Sequence, residues 1–401
     1  MRVLLSHENF DGFGGTETYV LTMAQEFQRL GHEVAIFSPN RGAMSEHART
    51  IGTPVLAASE LPAECDLVVN SDAATASDLA AVYPSSVRAF VVHSTDFALQ
   101  APPQLDGIVH AVVVLNDRVG RMVKARAWHA PLHRLHQPIT LSRFRDLGPP
   151  RTKARVALIS SNYVAGVRAE MIEHACRGAG LEVRWLGTSN PSPFPEAAIA
   201  DADVVIGLGR SVLEGLAAGR AGFVYGTLGA DGWITPERYA AMESDGFAGM
   251  SRPEVIFDED ALTAELSGWR SDLGELGRDL VSAHHGAREH AVAILSLADE
   301  YVGSPAPEPT MLAEIGRLIR LEWARHGEVI NSQRYTAQLR AALEERDDRL
   351  AALGADVWTL HKQLHAVNVR YEGLKTTRRY RLAAELARPL DRARALLGRG
   401  G

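Results

Sequence analysis

The stretch Gly12-Phe13-Gly14-Gly15-Thr16-Glu17 follows an apolar run, Arg2–Ser6, and precedes a segment whose apolar residues recur at helical spacing. Glycines in a turn between a strand and a helix let backbone N–H groups approach a ligand, and the helix N-terminus attracts a phosphate. The stretch therefore predicts the first strand and helix of a nucleotide-binding domain, with Gly14 and Gly15 in contact with the ligand. A tight turn without a ligand is the alternative.

The same alternation of strand and helix continues along the chain in two blocks. The predicted strands are apolar throughout, as expected where helices cover both faces of a sheet. They are Arg2–Ser6, Glu33–Phe37, Asp66–Asn70, Ala89–His93, Ala111–Leu115, Arg155–Ser160, Leu181–Leu186, Asp203–Gly207 and Gly222–Tyr225. Strands that alternate with helices indicate parallel, doubly wound sheets. We predict an α/β protein with two Rossmann-like domains, residues 1–148 and 149–302, and a ligand in the cleft between them.

Two segments bound the second predicted domain. Pro149–Lys153 has the composition of an interdomain linker. A long helical region, Asp260–Val302, is predicted to close the domain.

Composition and charge limit the class of protein. The 401 residues are 46% hydrophobic and 23% charged, a balance typical of globular proteins. The net charge of −7 gives no sign of a nucleic-acid partner. No signal-peptide layout or membrane-spanning apolar run is present, and two cysteines form no disulfide framework. We therefore expect a cytoplasmic protein.

Two further segments share the order and spacing of a known enzyme family. After Gly14-Gly15-Thr16-Glu17 the chain reads Leu30-Gly31-His32-Glu33-Val34, and later Leu135-His136-Gln137-Pro138-Ile139-Thr140-Leu141-Ser142-Arg143-Phe144. Phe37-Ser38 stands where a dinucleotide-binding domain carries an acidic residue, and the glycine spacing is not Gly-x-Gly-x-x-Gly. The order resembles family 4 glycosyltransferases. The resemblance implies the GT-B fold, in which two Rossmann-like domains bind a nucleotide sugar in their cleft.

The resemblance assigns donor-binding residues in the second domain. Gly207–Gly219 looks like the family's donor segment, and Glu214 matches a glutamate that commonly binds the ribose hydroxyls. Ser211 and Glu214 also have the spacing of a capping box at a helix start, and this alternative stays open. Gly209 and Arg210 lie in the same segment. A guanidinium suits phosphate oxygens, so Arg210 is predicted to bind the donor diphosphate and to act catalytically on the leaving group.

The chain departs from the family pattern in its first loop of the second domain. The loop Ser160–Arg168 lacks the family's glycine-arginine pair and its lysine. Ser161 is predicted to bind the donor, and Arg168 is predicted to replace the lysine. A surface arginine in the first turn of a helix is the alternative reading of Arg168.

Two other positions on the donor side complete the comparison. The family often has a second glutamate eight positions before Glu214, where this chain has Ile206, which weakens the case for a retaining mechanism. Gly229 belongs to the loop Gly226–Glu237, which is predicted to lie on the donor side. An ordinary connecting loop is the alternative.

The first domain is expected to present the acceptor. His93 ends a predicted strand, and the resemblance implies a histidine that lines the cleft there; a core histidine is the alternative. His93 is the second predicted catalytic residue. His7 and Glu8 follow the first strand, and Glu17 ends the glycine-rich stretch, so these three are predicted on the acceptor side.

No metal site is predicted. His129, His133 and His136 lie near prolines and lack the spacing of a zinc site. No cofactor is expected besides the donor substrate, a nucleotide-diphosphate sugar.

The pattern changes after residue 302. Residues 303–310 have the composition of a linker. Within 311–375, eleven positions from Leu339 to Leu374 alternate in steps of four and three, and ten of them are apolar, which predicts a coiled coil and a homodimer. From Lys375 onwards the chain carries eight basic and two acidic residues. Residues 376–401 are therefore predicted to form a basic amphipathic tail that binds an anionic membrane surface.

These features together predict a metal-independent, hexosyltransferase-like enzyme. It would transfer a sugar from a nucleotide-diphosphate sugar to a glycan or lipid-linked acceptor in cell-surface polysaccharide synthesis. The tail would hold it on the inner face of the plasma membrane. The alternatives are a catalytically inactive GT-B scaffold or partner protein at the membrane, and a nucleotide-sugar epimerase.

Overall fold

The computed structural model describes residues 1–94, 98–126, 130–145, 147–148, 151–187, 190, 192, 194–253, 255, 257–301 and 307–397. The chain forms two compact units, Met1–Ala324 and Arg325–Gly401. Parts of both predicted linkers, Pro149-Pro150 and 303–306, lie outside the described residues, as do His129 and the end of the tail, 398–401.

The first domain is built on a parallel sheet of seven strands in the order β5-β3-β1-β6-β7-β8-β9. Its central strands are buried on both faces, as their apolar sequences predict, whereas the last edge strand is half-buried. The strands, with the small pair β2 and β4, are β1 Arg2–Ser6, β2 Asn9–Phe10, β3 Glu33–Phe37, β4 Asn40–Arg41, β5 Val55–Leu56, β6 Leu67–Asn70, β7 Val87–Val92, β8 Ala111–Val114 and β9 Leu132–Arg134.

Five helices follow these strands. They are α1 Gly15–Arg29, α2 Ala43–Thr50, α3 Ala73–Val82, α4 Asp117–Ala125 and α5 Leu141–Phe144. The side chain of Asp72 caps α3 by accepting from the Thr75 N–H at 2.8 Å, and Asn116 caps α4 in the same way. Such caps satisfy backbone N–H donors at a helix start. Because Asp72 and Asn116 directly follow β6 and β8, α3 and α4 begin at the carboxyl edge of the sheet.

The second domain has a five-stranded sheet in the order β11-β10-β12-β13-β14. The strands are β10 Val156–Ser161, β11 Glu182–Gly187, β12 Val204–Gly207, β13 Ala221–Tyr225 and β14 Ala230–Trp233. The helices are α6 Val167–Gly178, α7 Glu196–Asp201, α8 Arg210–Ala217, α9 Pro236–Asp245, α10 Glu259–Ser267 and α11 Leu273–His284. The two predicted doubly wound α/β domains are confirmed. One difference is that β14 pairs antiparallel with β13, so part of the predicted loop Gly226–Glu237 is a sheet edge.

The predicted long helical region is three helices, α10, α11 and α12 (Ala287–Glu300). Helix α12 packs into the core of the first domain, where Ala291 and Ile294 are fully buried among residues of α1 and the first sheet. The region therefore does not simply close the second domain. It crosses back and joins the two domains.

Helix α13, Pro309–Lys375, starts before the predicted coiled coil and belongs to both units. Its first turns pack on α3: Leu312 is fully buried beside Ala73 and Ala76. The absence of a side chain at Gly316 permits the close approach, because a Cβ there would lie 2.9 Å from an Asp78 carboxylate oxygen. Residues 311–324 are therefore part of the first unit.

The second unit is helical where it is described. It contains the rest of α13 and a further helix, α14, Arg378–Leu397. The ten apolar residues of the predicted seam between Leu339 and Leu374 are exposed. Among the described residues, no helix combines the length and apolarity that a membrane span requires.

Candidate functional site

A cavity of about 320 Å³ opens between the two domains. The first domain contributes α1 and α2, and the second contributes the carboxyl ends of β10 and β11 and the start of α8. Ligands bind at this edge in open α/β sheets. The polar or aromatic residues of the wall include Thr22, Arg29, His47, Arg143, Ser160, Ser161, Asn162, Phe194, Arg210, Ser211 and Glu214.

The glycine-rich turn lies at one end of this cavity. Gly14 and Gly15 both line it, and Gly14 caps α1 without any side-chain hydrogen bond. The Glu17 carboxylate lies beside Gly14 at this helix start, where the helix dipole favours a negative charge. The structure thus brings Gly14 and Gly15 together with three predicted donor residues of the second domain, Ser161, Arg210 and Glu214.

Arg210 connects the two domains at the cavity. Its Nε donates to Glu214 Oε1 at 2.7 Å, and its other nitrogens donate to the Pro138 carbonyl at 3.0 Å and to Thr22 Oγ1 at 3.1 Å. Burial lowers the pKa of Arg210, and the Glu214 carboxylate opposes this shift. An almost fully buried ion pair therefore occupies the predicted diphosphate and ribose site.

The start of α8 rules out the capping-box reading of Glu214. The helix begins at Arg210 after Gly209, which takes a positive φ of 51° that favours glycine. Ser211 lies inside the first turn and is not the N-cap, so Glu214 is not its capping partner. The assignment of Glu214 to the ribose hydroxyls stays a prediction.

Three predicted donor residues do not line the cavity. Arg168 lies in the first turn of α6, where its carbonyl accepts from the Tyr225 hydroxyl at 2.8 Å. Gly209 lines a separate cavity of about 30 Å³ beside Glu243. Gly229 packs against the Gly249 backbone at the β13–β14 turn. The glycine spacing alone did not distinguish these positions from the cavity wall.

His7 lies buried where β1 ends. Its Nδ1 accepts from the Asn9 N–H at 3.2 Å, whereas Nε2 is buried and has no hydrogen-bond partner among the residues that the structure describes. An accepting Nδ1 leaves the proton of the neutral ring on Nε2. Burial lowers the pKa of His7, opposed by Glu17 and Glu8, and burial raises the pKa of Glu17. His7 therefore offers one unused N–H donor near the predicted acceptor edge.

Glu8 is already engaged by the protein. Both of its carboxylate oxygens accept from Arg320 of α13 at 2.9 Å, and its N–H donates to Asp72. Arg320 also pairs with Asp78. Burial raises the pKa of Glu8, and the Arg320 hydrogen bond opposes that shift. The structure gives Glu8 a structural partner that the sequence did not predict.

His93 follows β7, and its ring packs edge-on against Tyr19 with centroids 4.8 Å apart. Its Nε2 lies 3.4 Å from the Ser71 hydroxyl. Burial lowers the pKa of His93 to about 3, helped by His7 and His290. The ring is therefore neutral at ordinary pH and supplies no cation for a diphosphate. It is not among the residues that line the cavity.

Two histidines hold the chain that links the domains. His285 and His290 direct Nδ1 at the carbonyls of Gln137 and His136, at 2.7 and 2.9 Å. A carbonyl only accepts, so each Nδ1 carries the proton and each Nε2 accepts from a tyrosine hydroxyl: Tyr239 for His285 at 2.6 Å and Tyr19 for His290 at 2.8 Å.

The ligand atoms of His136, Glu243 and His285 lie within 4.8 Å of one another, a separation that a metal ion can bridge. Each of them already has a protein partner. Glu243 accepts from Arg134 at 2.5 and 2.6 Å and pairs with His136 at 2.7 Å. His285 uses both ring nitrogens in the contacts above. This hydrogen-bond network accounts for the cluster, and we assign no metal to it.

Sequence reasoning missed several residues of the cavity wall. Arg143 lies in the segment Leu135–Phe144, which carries part of the family resemblance, and it pairs with Glu196 at 2.6 Å. His47 and Phe194 pack edge-to-face across the cleft with centroids 5.1 Å apart. Arg29 lies at the last turn of α1. Of Arg29, His47, Arg143 and Phe194, only Arg143 stands in a segment that the sequence analysis singled out.

The fold is similar to that of solved glycosyltransferases. An α-glucosyltransferase solved with UDP and a 13-mer DNA containing a HMU base is 12% identical, with a TM-score of 0.50 over 75% of this chain and 99% of that chain. Anabaena HepE, solved with UDP-glucose, is 12% identical with a TM-score of 0.47 over 75% of this chain and 100% of that one. Acinetobacter baumannii MurG is 11% identical with a TM-score of 0.44 over 74% and 99%. No family model and no curated protein matches the chain.

Proposed function

We propose that this protein is a glycosyltransferase that binds a nucleotide-diphosphate sugar in the interdomain cavity. The observation that carries the proposal is the composition of the cavity: the helix start at Gly14 and Gly15, guanidinium groups of Arg29, Arg143 and Arg210, and the carboxylate of Glu214. The helix start and the guanidinium groups match a diphosphate, and the carboxylate matches a ribose diol. The α-glucosyltransferase of similar fold, which was solved with UDP, supports the same class of donor.

In this proposal the second domain holds the donor and the first presents the acceptor. Arg210 stabilises the charge that develops on the leaving diphosphate, and the cleft orients the two substrates. The acceptor is a glycan or a lipid-linked glycan that enters at the edge where β1 ends. The unused Nε2–H of His7 is the group there with which we expect an acceptor hydroxyl to bond.

Donor binding is the first test. Isothermal titration of the full chain with UDP, GDP, ADP and dTDP, and with sugar conjugates of the base that binds, should give saturable binding for one base. Glu214→Gln should weaken that binding by about tenfold or more, because a charged acceptor contributes roughly 1.5–3 kcal/mol. Glu275→Gln, an exposed position in the first turn of α11, is the matched control and should bind as the wild type does. A folded sample that binds none of these nucleotides would contradict the proposal.

A catalytically inactive scaffold is the second candidate, and one observation favours it. Position 206, where the resemblance expects a second glutamate, is an isoleucine fully buried in β12. Donor binding without hydrolysis or transfer, on lipid and glycan extracts, would favour the scaffold. Release of free sugar or a transferred product would favour the enzyme.

We also propose that α13 pairs two copies of the chain and that the basic tail binds an anionic membrane surface. The exposed apolar seam of α13 supports the first part. The basic composition of the tail and the helical conformation of α14 support the second.

A further inference from the structure

The longest uninterrupted part of the apolar seam of α13 runs from residue 350 to residue 374. Eight apolar residues recur there in alternating steps of three and four, and each is between 48% and 64% exposed. They are Leu350, Leu353, Val357, Leu360, Leu364, Val367, Tyr371 and Leu374. A stripe with this period is the surface that a second helix covers in a coiled coil.

The two ends of this seam carry opposite charge. Before it, the sequence Glu344-Glu345-Arg346-Asp347-Asp348-Arg349 holds four acidic and two basic residues. After it come Lys375 and Arg378, and then two further arginines at 379 and 381. A pair of these helices can therefore place like or unlike charges together, and the relative direction of the helices decides which.

A parallel pair in register brings like charges together. Arg370 would lie beside the partner's Lys375 at flanking positions of the seam. Leu339 and Leu343 would add two apolar layers. Extending the pair to these two leucines places Arg346, which occupies a seam position, opposite the partner's Arg346. Desolvating two facing guanidinium groups costs free energy and opposes the gain from burying the leucines.

We propose that two copies of this chain pair through residues 350–374 in antiparallel orientation. Leu350 then packs on the partner's Leu374, and Leu360 on the partner's Leu364, so that every layer of the seam is apolar. Asp347 comes beside the partner's Lys375, and Asp356 beside the partner's Arg370. The twofold symmetry makes each of these pairs twice, and Arg346 falls outside the seam.

This orientation rests on the proposed dimer but not on glycosyl transfer. A monomer in solution would reject both the dimer and the orientation, whereas a parallel dimer would reject the orientation alone. Neither result bears on donor binding in the interdomain cavity, which is measured separately.

Single cysteines in the full chain distinguish the two directions. In the antiparallel pair, residue 361 lies next to its own copy near the centre, so His361→Cys should form an interchain disulfide under mild oxidation. Leu374→Cys should form none, because the two copies of residue 374 would be about 36 Å apart at 1.5 Å per residue. A disulfide needs Cα atoms within about 7 Å. The wild type, with Cys65 and Cys176, is the background control.

A charge exchange gives an independent readout. Asp347→Lys should weaken dimerisation by about fivefold, because two symmetric pairs become repulsive. The double change Asp347→Lys with Lys375→Asp should restore it, since the exchanged charges meet again. Efficient cross-linking of Leu374→Cys without that of His361→Cys, or no restoration in the double variant, would overturn the antiparallel arrangement.

Discussion

Replacing Arg320 by methionine removes the cation that links α13 to the acceptor edge of the first domain. Arg320 donates to both oxygens of Glu8, whose side chain is only 6% exposed, and also pairs with Asp78. Methionine keeps the aliphatic stem but leaves the buried Glu8 carboxylate without its partner. The loss of stability should therefore reflect the cost of an unpaired buried charge.

Protonation of Glu8 limits this cost. A carboxyl group with an ordinary pKa of 4.5 can be protonated at pH 7 for about 3.4 kcal/mol, since each pH unit is worth about 1.4 kcal/mol. Breaking a buried ion pair costs about 3–5 kcal/mol, and the Arg320 side chain is 32% exposed, so we expect about 2–3 kcal/mol at pH 7. At pH 5 the free energy needed to protonate Glu8, and therefore the largest loss of stability, falls to about 0.7 kcal/mol.

The sign of this pH dependence follows from the Glu8 pKa. Burial already raises the pKa of Glu8, and the variant loses the Arg320 hydrogen bond that opposes this shift. The folded-state pKa of Glu8 therefore rises further above its unfolded value, and the folded protein binds the extra proton. Stability is then retained near pH 4.5 and lost as pH rises through the folded-state value.

Urea unfolding of the wild type and the variant at pH 7 and pH 5 measures this difference. Arg317→Met, on the same helix, removes an exposed pair with Glu314 and should leave the free energy of unfolding almost unchanged at either pH. An Arg320→Met variant that loses the same free energy at both pH values would refute the reasoning, because the loss would then come from packing and not from charge.

Three further predictions concern the buried histidines His285 and His290, the first turns of α13 and the tail. Burial lowers the pKa of His285 and His290 to about 4, so their contribution to stability is complete above pH 6.5 and declines as pH falls towards 4, by up to about 3 kcal/mol each. Urea unfolding from pH 7 to 4.5 should show this slope, and His290→Gln should flatten it. Leu312→Ala should cost about 2–4 kcal/mol in the same assay, whereas the half-exposed Leu321→Ala should cost under about 0.5 kcal/mol. Deletion of residues 375–401 should abolish sedimentation with anionic vesicles, and unchanged binding would reject the membrane role.

The sheets were predictable because their strands are apolar runs separated by helical periods. Arg2–Ser6 and Glu33–Phe37 are strands with the predicted bounds, and the ends of the other predicted strands differ by one or two residues. Strand β14 was missed because Ala230-Asp231-Gly232-Trp233 has no apolar run; its pairing with Phe223 depends on tertiary contact. The return of α12 to the first domain is likewise a property of packing between distant segments.

The candidate site was predictable where its residues follow strands. Gly14, Ser161 and Glu214 come together because parallel strands end at one edge and the two edges face each other. The partner of Glu8 was not predictable, since Arg320 lies 312 residues further along the chain. Local sequence carries no sign of such a pair, and only the packing of α13 on α3 creates it.

The contacts of Arg210 link donor binding to the position of the domains. In the structure Arg210 forms an ion pair with Glu214 and also donates hydrogen bonds to Pro138 and Thr22. If Glu214 takes the ribose hydroxyls and Arg210 takes a phosphate, the ion pair between them must loosen, and the two contacts to the first domain change with it. Because an unpaired guanidinium is costly in so buried a place, the diphosphate must replace the bonds that Arg210 gives up. Donor binding therefore also changes the contacts that Arg210 makes between the two domains. A nucleoside without phosphates should bind far more weakly than the nucleoside diphosphate.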